Sequence, residues 1–267
     1  DIAVNNAKTS NNHICIYEES KNIEEKYKEN IELATQIKEA ILENRIICHY
    51  QPLLNIENSE IYSYESLVRL IDNKGNSLAP YKFLDFSKKI KLYSSITKIV
   101  VAQACKTFQN RDENFSINLS VDDIKDLETV DFILKTIKET NTSRRVTFEI
   151  LESEGIENYQ EVISFINQIK SLGARIAIDD FGTGYSNFEH LLRLDVDYIK
   201  IDGSLIKNIV TDDKHRLIVE TIVSFAKRIG IKTVAEFVSD EKILQTIKEI
   251  GISCAQGYHI GKPETLV

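Results

Sequence analysis

Eight residues of types that bind cations or phosphates recur along this chain, each at or just past the end of a short apolar run: Glu65, Asn118, Glu149, Asp179, Asp180, Lys200, Glu236 and Gln256. Carboxylates brought together repel one another unless hard cations sit between them. A donor set of oxygens, with no sulfur and no imidazole, suits Mg2+ or Mn2+ better than zinc. Two such ions about 4 Å apart suit in-line displacement at phosphorus, where they stabilise the attacking and leaving oxygens together.

Such residues can act together only if strand ends bring them to one place. Strands are expected over Arg45–Leu54 and Ile61–Leu70, joined by the polar turn Asn55–Glu60 as a hairpin. Further strands are expected near Phe115–Leu119, Arg145–Leu151, Arg175–Asp179, Tyr198–Ile201, Thr233–Glu236 and Cys254–His259, eight in all. Between them, helical spacing predicts helices over Pro80–Asn110 (as two), Val121–Thr140, Tyr159–Leu172, Leu205–Asn208, Asp213–Ile229 and Asp240–Ile250. Gly173, Gly230 and Gly251 each follow a helical stretch, where a left-handed C-terminal cap favours glycine. Regular alternation of this kind predicts an α/β fold closed as a TIM-like (β/α)8 barrel, whose active site lies at the C-terminal ends of the strands. The opening hairpin makes the first strand antiparallel, a modification of the all-parallel barrel.

A long helix is expected over Ile23–Asn44, with Ile31, Leu33, Ala34, Ile37, Ala40 and Ile41 at helical spacing. Before it, the polar, Asn-rich segment carries one short apolar run, His13–Tyr17, which suits an edge strand. The 267 residues accommodate one αβ barrel or two small domains, and 42% hydrophobic with 28% charged residues is ordinary for a globular chain. A net charge of −8 argues against a nucleic-acid polymer as partner, but not against a small anion held locally by metals. Cys15, Cys48, Cys105 and Cys254 are far apart and read as incidental thiols of a reducing, cytoplasmic compartment. No run reaches transmembrane length and the first residues do not resemble a signal peptide. The chain contains no methionine and is read as a piece of a longer protein, which a membrane sensor could tether.

Each local string, taken alone, also fits a plainer reading. Asp179-Asp180-Phe181-Gly182-Thr183-Gly184 suits a polar turn; Glu65 and Glu149 suit pairs with Arg69 and Arg145; Asn118 suits a helix cap; Lys200 suits a surface pair with Asp202. Lys200 in a carboxylate-rich mouth would instead orient a water or neutralise a phosphate, while Glu152 is better placed to brace a loop than to ligate. The five histidines are dispersed, with no HExxH pair, and no GxSxG or P-loop string occurs. Order along the chain, not any one string, favours the metal reading.

With these residues in view, the chain resembles the EAL domains, bacterial cyclic-di-GMP phosphodiesterases, from about residue 31 to 263. The resemblance rests on Tyr50-Gln51-Pro52, Glu65-Ser66-Leu67-Val68-Arg69, Ile117-Asn118-Leu119-Ser120, Phe148-Glu149-Ile150-Leu151-Glu152 and the string Asp179 to Ser186. It continues through Lys200-Ile201-Asp202, Ala235-Glu236, Gln256-Gly257-Tyr258 and Lys262-Pro263. It implies a barrel with an antiparallel first strand and hydrolysis of cyclic-di-GMP to linear pGpG by a metal-activated water. One metal would be held by Glu65, Asn118, Glu149 and Asp179, and a second by Asp179, Asp180 and Glu236. Lys200 would position or deprotonate the water, with a base role also proposed for the position of Glu236. Glu152 would steady the loop after Asp180, a segment linked to dimerisation, and Gln51, Leu67, Arg69 and Gln256 would face the substrate. Residues 1–20 resemble the end of a GGDEF domain through Ala7-Lys8 and Tyr17. This divides the chain into that remnant, a helical connector over 21–44 and a barrel over 45–267, with upstream GGDEF and sensory domains in the full protein.

The sequence departs from the family pattern at Ser66, where alanine is usual, at Leu70, where tryptophan is usual, and after Glu236. There the usual Glu-Gly-Val-Glu reads Glu236-Phe237-Val238-Ser239. These last changes support an alternative reading, a receptor that binds cyclic-di-GMP but turns it over slowly or not at all. A purely structural dimerisation domain is less favoured, because it would have no use for mutually repelling carboxylates.

Overall fold

Ile37 and Ala40, one turn apart, are wholly buried and anchor the first helix, α1 (Lys21–Leu42). Ile31, on the same stripe, is 64% exposed, so the apolar face is used only towards the helix C-terminus. The computed structural model describes residues 21–152, 160–182 and 188–266. The expected strand at His13–Tyr17 and the remnant over 1–20 lie outside the described residues.

Strands β1 (Ile46–Asn55) and β2 (Glu60–Ile71) form the expected antiparallel hairpin. A two-residue strand, β3 (Ser77–Leu78), adds to the end of β2, followed by a 3-10 turn over Pro80–Lys82. Helices α2 (Leu84–Lys89) and α3 (Tyr93–Phe108) fill the region read as two helices. The chain then alternates: β4 (Asn114–Leu119), α4 (Val121–Lys125), α5 (Leu127–Glu139), β5 (Val146–Leu151), α6 (Gln160–Ser171) and β6 (Arg175–Phe181). It continues through α7 (Phe188–Arg193), β7 (Tyr198–Ile201), α8 (Gly203–Ile206), α9 (Asp213–Arg228), β8 (Lys232–Ala235), α10 (Glu241–Ile250) and β9 (Cys254–Gln256).

Helix α7 and the short β3 lie outside the expected elements, α8 covers Gly203–Ile206 where Leu205–Asn208 is expected, and β8 ends at Ala235, one residue before Glu236. Two further boundaries differ for reasons the structure shows. The helix expected over Val121–Thr140 is two, because Asp126 adopts an extended conformation and its carboxylate accepts from the Glu128 N–H, starting a new helix. The last strand ends at Gln256, where Gly257 lies against the Val238 backbone too closely for any Cβ.

The sheet runs β1-β9-β8-β7-β6-β5-β4-β2 and closes through β1–β2, giving an eight-stranded barrel with β3 as an appendage. Neighbours from β2 through β9 are parallel, and β1 is antiparallel to both its neighbours. This is the modified TIM-like barrel read from the alternation. A large apolar layer fills the space between barrel and helices, while Leu53, Ala177, Tyr198, Val234 and Cys254 form a small separate cluster. Cys48, Cys105 and Cys254 are buried free thiols. No helix among the described residues is long and apolar enough to cross a membrane.

Candidate functional site

A barrel strand sends alternate side chains inward, so each inward residue is followed two positions later by another. Leu53, Ser63, Ser116, Thr147, Ala177, Tyr198, Val234 and Cys254, one from each strand, line a small cavity of about 20 Å³. Two positions further along stand Glu65, Asn118, Glu149, Asp179, Lys200 and Gln256 on their strands, and Glu236 just past the end of β8. On β1, which runs the other way, Gln51 takes the corresponding place. The expected site residues are thus successive inward positions above an apolar and hydroxyl-bearing floor.

Asp179 and Asp180 break this period, since neighbours on a strand face opposite sides. The pairing of β6 with β7 shifts register between Ile178 and Phe181, so that two residues oppose one. Asp180 sits at φ 55°, and its N–H donates to Asp179 Oδ1 at 3.0 Å. This bulge brings both carboxylates to one mouth. Glu152 accepts from the Gly182 N–H at 3.2 Å, bracing the turn that follows.

Lys200 is the hub. Its Nζ lies 2.7 Å from Glu149 Oε2, 2.9 Å from Glu236 Oε1, 3.0 Å from Asp179 Oδ1 and 3.5 Å from Glu65 Oε2, and the residue is 1% exposed. Glu65 also accepts from Asn118 Nδ2 at 2.7 Å and Gln256 Nε2 at 2.6 Å, and Gln256 reaches Gln51 Oε1 at 3.3 Å. The plainer pairings are not formed: Arg145 donates to the Phe108 carbonyl, Asp202 caps α8, and Ser120, not Asn118, caps α4.

One buried ammonium cannot neutralise five carboxylates, and the titrations reflect this. Burial works against the charge on Lys200, but Asp179, Glu149, Glu236 and Glu65 outweigh it and raise its pKa well above the ordinary value. Burial likewise works against ionising Glu65, where Lys200, Gln256 and Asn118 win and lower the pKa. Glu149 and Glu236 go the other way. Burial raises Glu149 well above the usual carboxylate range and Glu236 to about 8, with neighbouring carboxylates adding to both shifts. Burial, Asp179 and Asp202 raise Asp180 to about 6. Without a cation, this cluster retains protons that carboxylates ordinarily shed.

Two triads meet the geometry of cation sites: Glu65, Glu149 and Asp179, and Asp179, Asp180 and Glu236, with ligand atoms within 4.8 Å of one another in each. Asp179 belongs to both. The donors are all oxygens, which fits a hard divalent cation. Leu67 and Asn118 line a cavity of about 260 Å³ beside the cluster, together with Ser66, Pro80, Tyr93, Thr97 and Leu151. The sequence reading marked Leu67 but not this cavity, whose walls come from segments far apart in the chain. Arg69 is half-buried within the field of Glu65 and Tyr258, and donates to the Val68 carbonyl at 2.9 Å.

The departures after Glu236 are also resolved. Phe237 has φ 53° and is 54% exposed. Ser239 Oγ bonds Asp240 Oδ2 at 3.0 Å, and the other Asp240 oxygen caps α10.

Known proteins resemble the chain in sequence and in fold. The chain is 36% identical over 275 aligned positions to the cyclic di-GMP phosphodiesterase PdeB of Shewanella oneidensis, covering all of this chain and 32% of that protein. It is 32% identical to the probable cyclic di-GMP phosphodiesterase PdeA of Escherichia coli, covering 88% of this chain and 32% of that one. The chain therefore spans about a third of the length of these relatives. Among solved structures, the PaMucR phosphodiesterase in complex with c-di-GMP superposes with a TM-score of 0.82 at 27% identity, covering 87% of this chain and 97% of that one. The EAL domain model matches residues 34–263, all the barrel strands with the last part of the helix before them, and the chain belongs to the EAL domain family.

Proposed function

We propose that this chain hydrolyses one phosphodiester bond of cyclic-di-GMP to linear pGpG, using two Mg2+ or Mn2+ ions. The observation that carries this reading is the pair of carboxylate triads sharing Asp179 at the mouth of the barrel. The names of its relatives, and the c-di-GMP bound by a similar structure, support the substrate.

Glu65, Asn118, Glu149 and Asp179 would hold one cation, and Asp179, Asp180 and Glu236 the other. When bound, such cations lower the pKa of a water and neutralise charge on the phosphoryl oxygens. The remaining work falls to side chains. Lys200, whose Nζ lies among these same carboxylates, would orient the attacking water through its ammonium protons. Glu236 stands 2.9 Å from Lys200 Nζ and would be the residue that takes that water's proton, because an ammonium has no lone pair to accept it. The new P–O bond forms as the bond to the 3′ oxygen breaks, and that oxygen leaves as a hydroxyl after taking up a proton. Arg69 suits a phosphate oxygen. Gln51 and Gln256 suit polar edges of the substrate, and the cavity beside Leu67 suits a purine base. Glu152 acts through the turn at Gly182.

A receptor that binds cyclic-di-GMP without turnover is the second reading, favoured by Phe237 and by the turn of Ser239 towards Asp240. Incubation with cyclic-di-GMP and Mg2+ or Mn2+, followed by chromatography, separates the two. Cation-dependent pGpG supports the enzyme; bound but uncut ligand supports the receptor. In the full protein we place this unit in the cytoplasm as a homodimer, behind GGDEF and sensory domains. Residues 1–20 would be the GGDEF remnant, 21–44 the connector and 45–267 the barrel.

A further inference from the structure

Ser116, on β4, is 2% exposed, and its buried Oγ has no hydrogen-bond partner among the described residues. A buried hydroxyl left in that way costs stability unless something other than the chain satisfies it. The residues opposite Ser116 are Glu65 on β2 and Thr147 on β5, and Ser63 lies two positions before Glu65. Ser63, Ser116 and Thr147 therefore give the barrel floor a hydroxyl-bearing wall across three adjacent strands. The strands on the other side contribute Ala177, Val234 and Cys254, none of which offers a side-chain oxygen.

The space between these walls has a volume of about 20 Å³, and Glu149, Lys200, Tyr62 and Tyr198 also border it. A space of about 10–15 Å³ or more holds a water if about two to four polar partners surround it. The Tyr62 and Tyr198 hydroxyls stand 2.7 Å apart and share one hydrogen bond, and the Tyr62 oxygen also accepts from Arg175 Nη1 at 2.5 Å. Whichever tyrosine donates to the other, one phenolic proton is left over. Glu149 Oε2 accepts from Lys200 Nζ at 2.7 Å, and a carboxylate has further lone pairs to offer. The ammonium of Lys200 disfavours a cation in this space, and Glu149 disfavours an anion. A neutral molecule that both donates and accepts suits it.

We infer that the space binds one fixed water, which bridges Ser116 Oγ to the Glu149 carboxylate and supports that carboxylate from the floor of the barrel. Ser116 is then a positioning residue that acts on Glu149 through the water. The water itself follows from the cavity and the orphaned hydroxyl; its effect on cation binding rests on the proposed cation-dependent reading of the site.

The parent, Ser116→Ala and Ser116→Val test it by high-resolution crystallography, by thermal melting without cations and by Mn2+ titration calorimetry without nucleotide. In the parent, density for a water is expected within hydrogen-bond distance of both Ser116 Oγ and a Glu149 oxygen. In Ser116→Val, whose methyl groups take up the space, that density is expected to be lost. The sign of the change in Tm discriminates further. If the hydroxyl bonds a water, Ser116→Ala is expected to lower Tm by about 2–4 °C, the shift for one lost hydrogen bond in a domain of this size. If the space is dry, the same substitution removes an orphaned hydroxyl and raises Tm. A raised Tm, or a parent without the density, would overturn the inference. Ser116→Ala is also expected to weaken Mn2+ at the triad of Glu65, Glu149 and Asp179 by about threefold or more, and an unchanged isotherm would overturn the positioning role. If Ser116→Val fails to fold, the density of the parent and the melting of Ser116→Ala decide. A parent that binds no Mn2+ removes the proposed function, while density and melting still decide the water.

Discussion

Lys200 Nζ and Glu149 Oε2 stand 2.7 Å apart in the middle of the barrel, both residues almost wholly buried. The strands that carry them, β5 and β7, are not neighbours in the sheet, so only barrel closure brings the two together. Without cations this ammonium is the charge that compensates the cluster.

Replacing it removes that compensation. Lys200→Met is expected to destabilise the cation-free protein by about 3–5 kcal/mol, as for other broken buried ion pairs. It should also enlarge the stabilisation that Mg2+ confers. Thermal melts of both proteins with and without Mg2+ check this; an equal Mg2+ gain in the two would contradict it.

Glu65→Ala and Asp179→Ala each remove a carboxylate from the proposed cation positions. Turnover of cyclic-di-GMP is expected to fall at least about 100-fold in each, on the scale that follows when reacting groups are displaced. Asp179→Ala should weaken both cation sites in a Mn2+ titration, because Asp179 belongs to both triads. Parent-like rates in either variant would remove the assigned roles.

Stability should depend on pH in a cation-sensitive way. The Glu236 carboxyl rises from 4.5 to about 8 and that of Asp180 from 3.8 to about 6, burial being the largest cause of each. Over this range the native, cation-free protein binds more protons than the unfolded chain, so its stability falls between about pH 5 and pH 8. The lowered pKa of Glu65 acts in the opposite sense, and only at lower pH; the raised pKa of Lys200 acts only at higher pH. Divalent cations compete with the retained protons, so the gain in Tm from Mg2+ should grow across the same window. Melts at pH 5, 6, 7 and 8, with and without Mg2+, read it directly; a constant gain would rule it out.

Leu67 lines the apolar cavity beside the cluster and is not among the oxygen donors. Leu67→Ala is expected to raise KM for cyclic-di-GMP by about tenfold while kcat changes little, the signature of lost uniform binding. Steady-state kinetics separate the two constants. A loss confined to kcat would place Leu67 in support of the carboxylates and not against the base.

The element order, the opening hairpin and most site positions were legible in the sequence, because they follow from local rules. Period-two alternation makes Glu65, Glu149, Asp179 and Lys200 inward residues once the apolar runs are recognised as strands. Gly173, Gly230 and Gly251 take the left-handed conformation that helix ends favour, as their spacing indicated. The break at Asp126 escaped notice because apolar spacing continues across it, and only the capping bond shows that the helix restarts.

Tertiary structure decided the rest. Gln256 and Glu65 are 191 residues apart, and nothing local to either shows that they meet at 2.6 Å. Strict alternation would turn Asp180 away from Asp179; the bulge against β7 reverses that, and a bulge depends on the partner strand. Phe237 reads in sequence as a bulky residue where glycine is usual, and only the fold supplies Gly203 as the notch that receives it. Sequence determines which groups a strand can present inward, because that depends on the chain's own period. Which of them touch, and what charge each carries, depends on closure and burial, to which distant segments contribute at once.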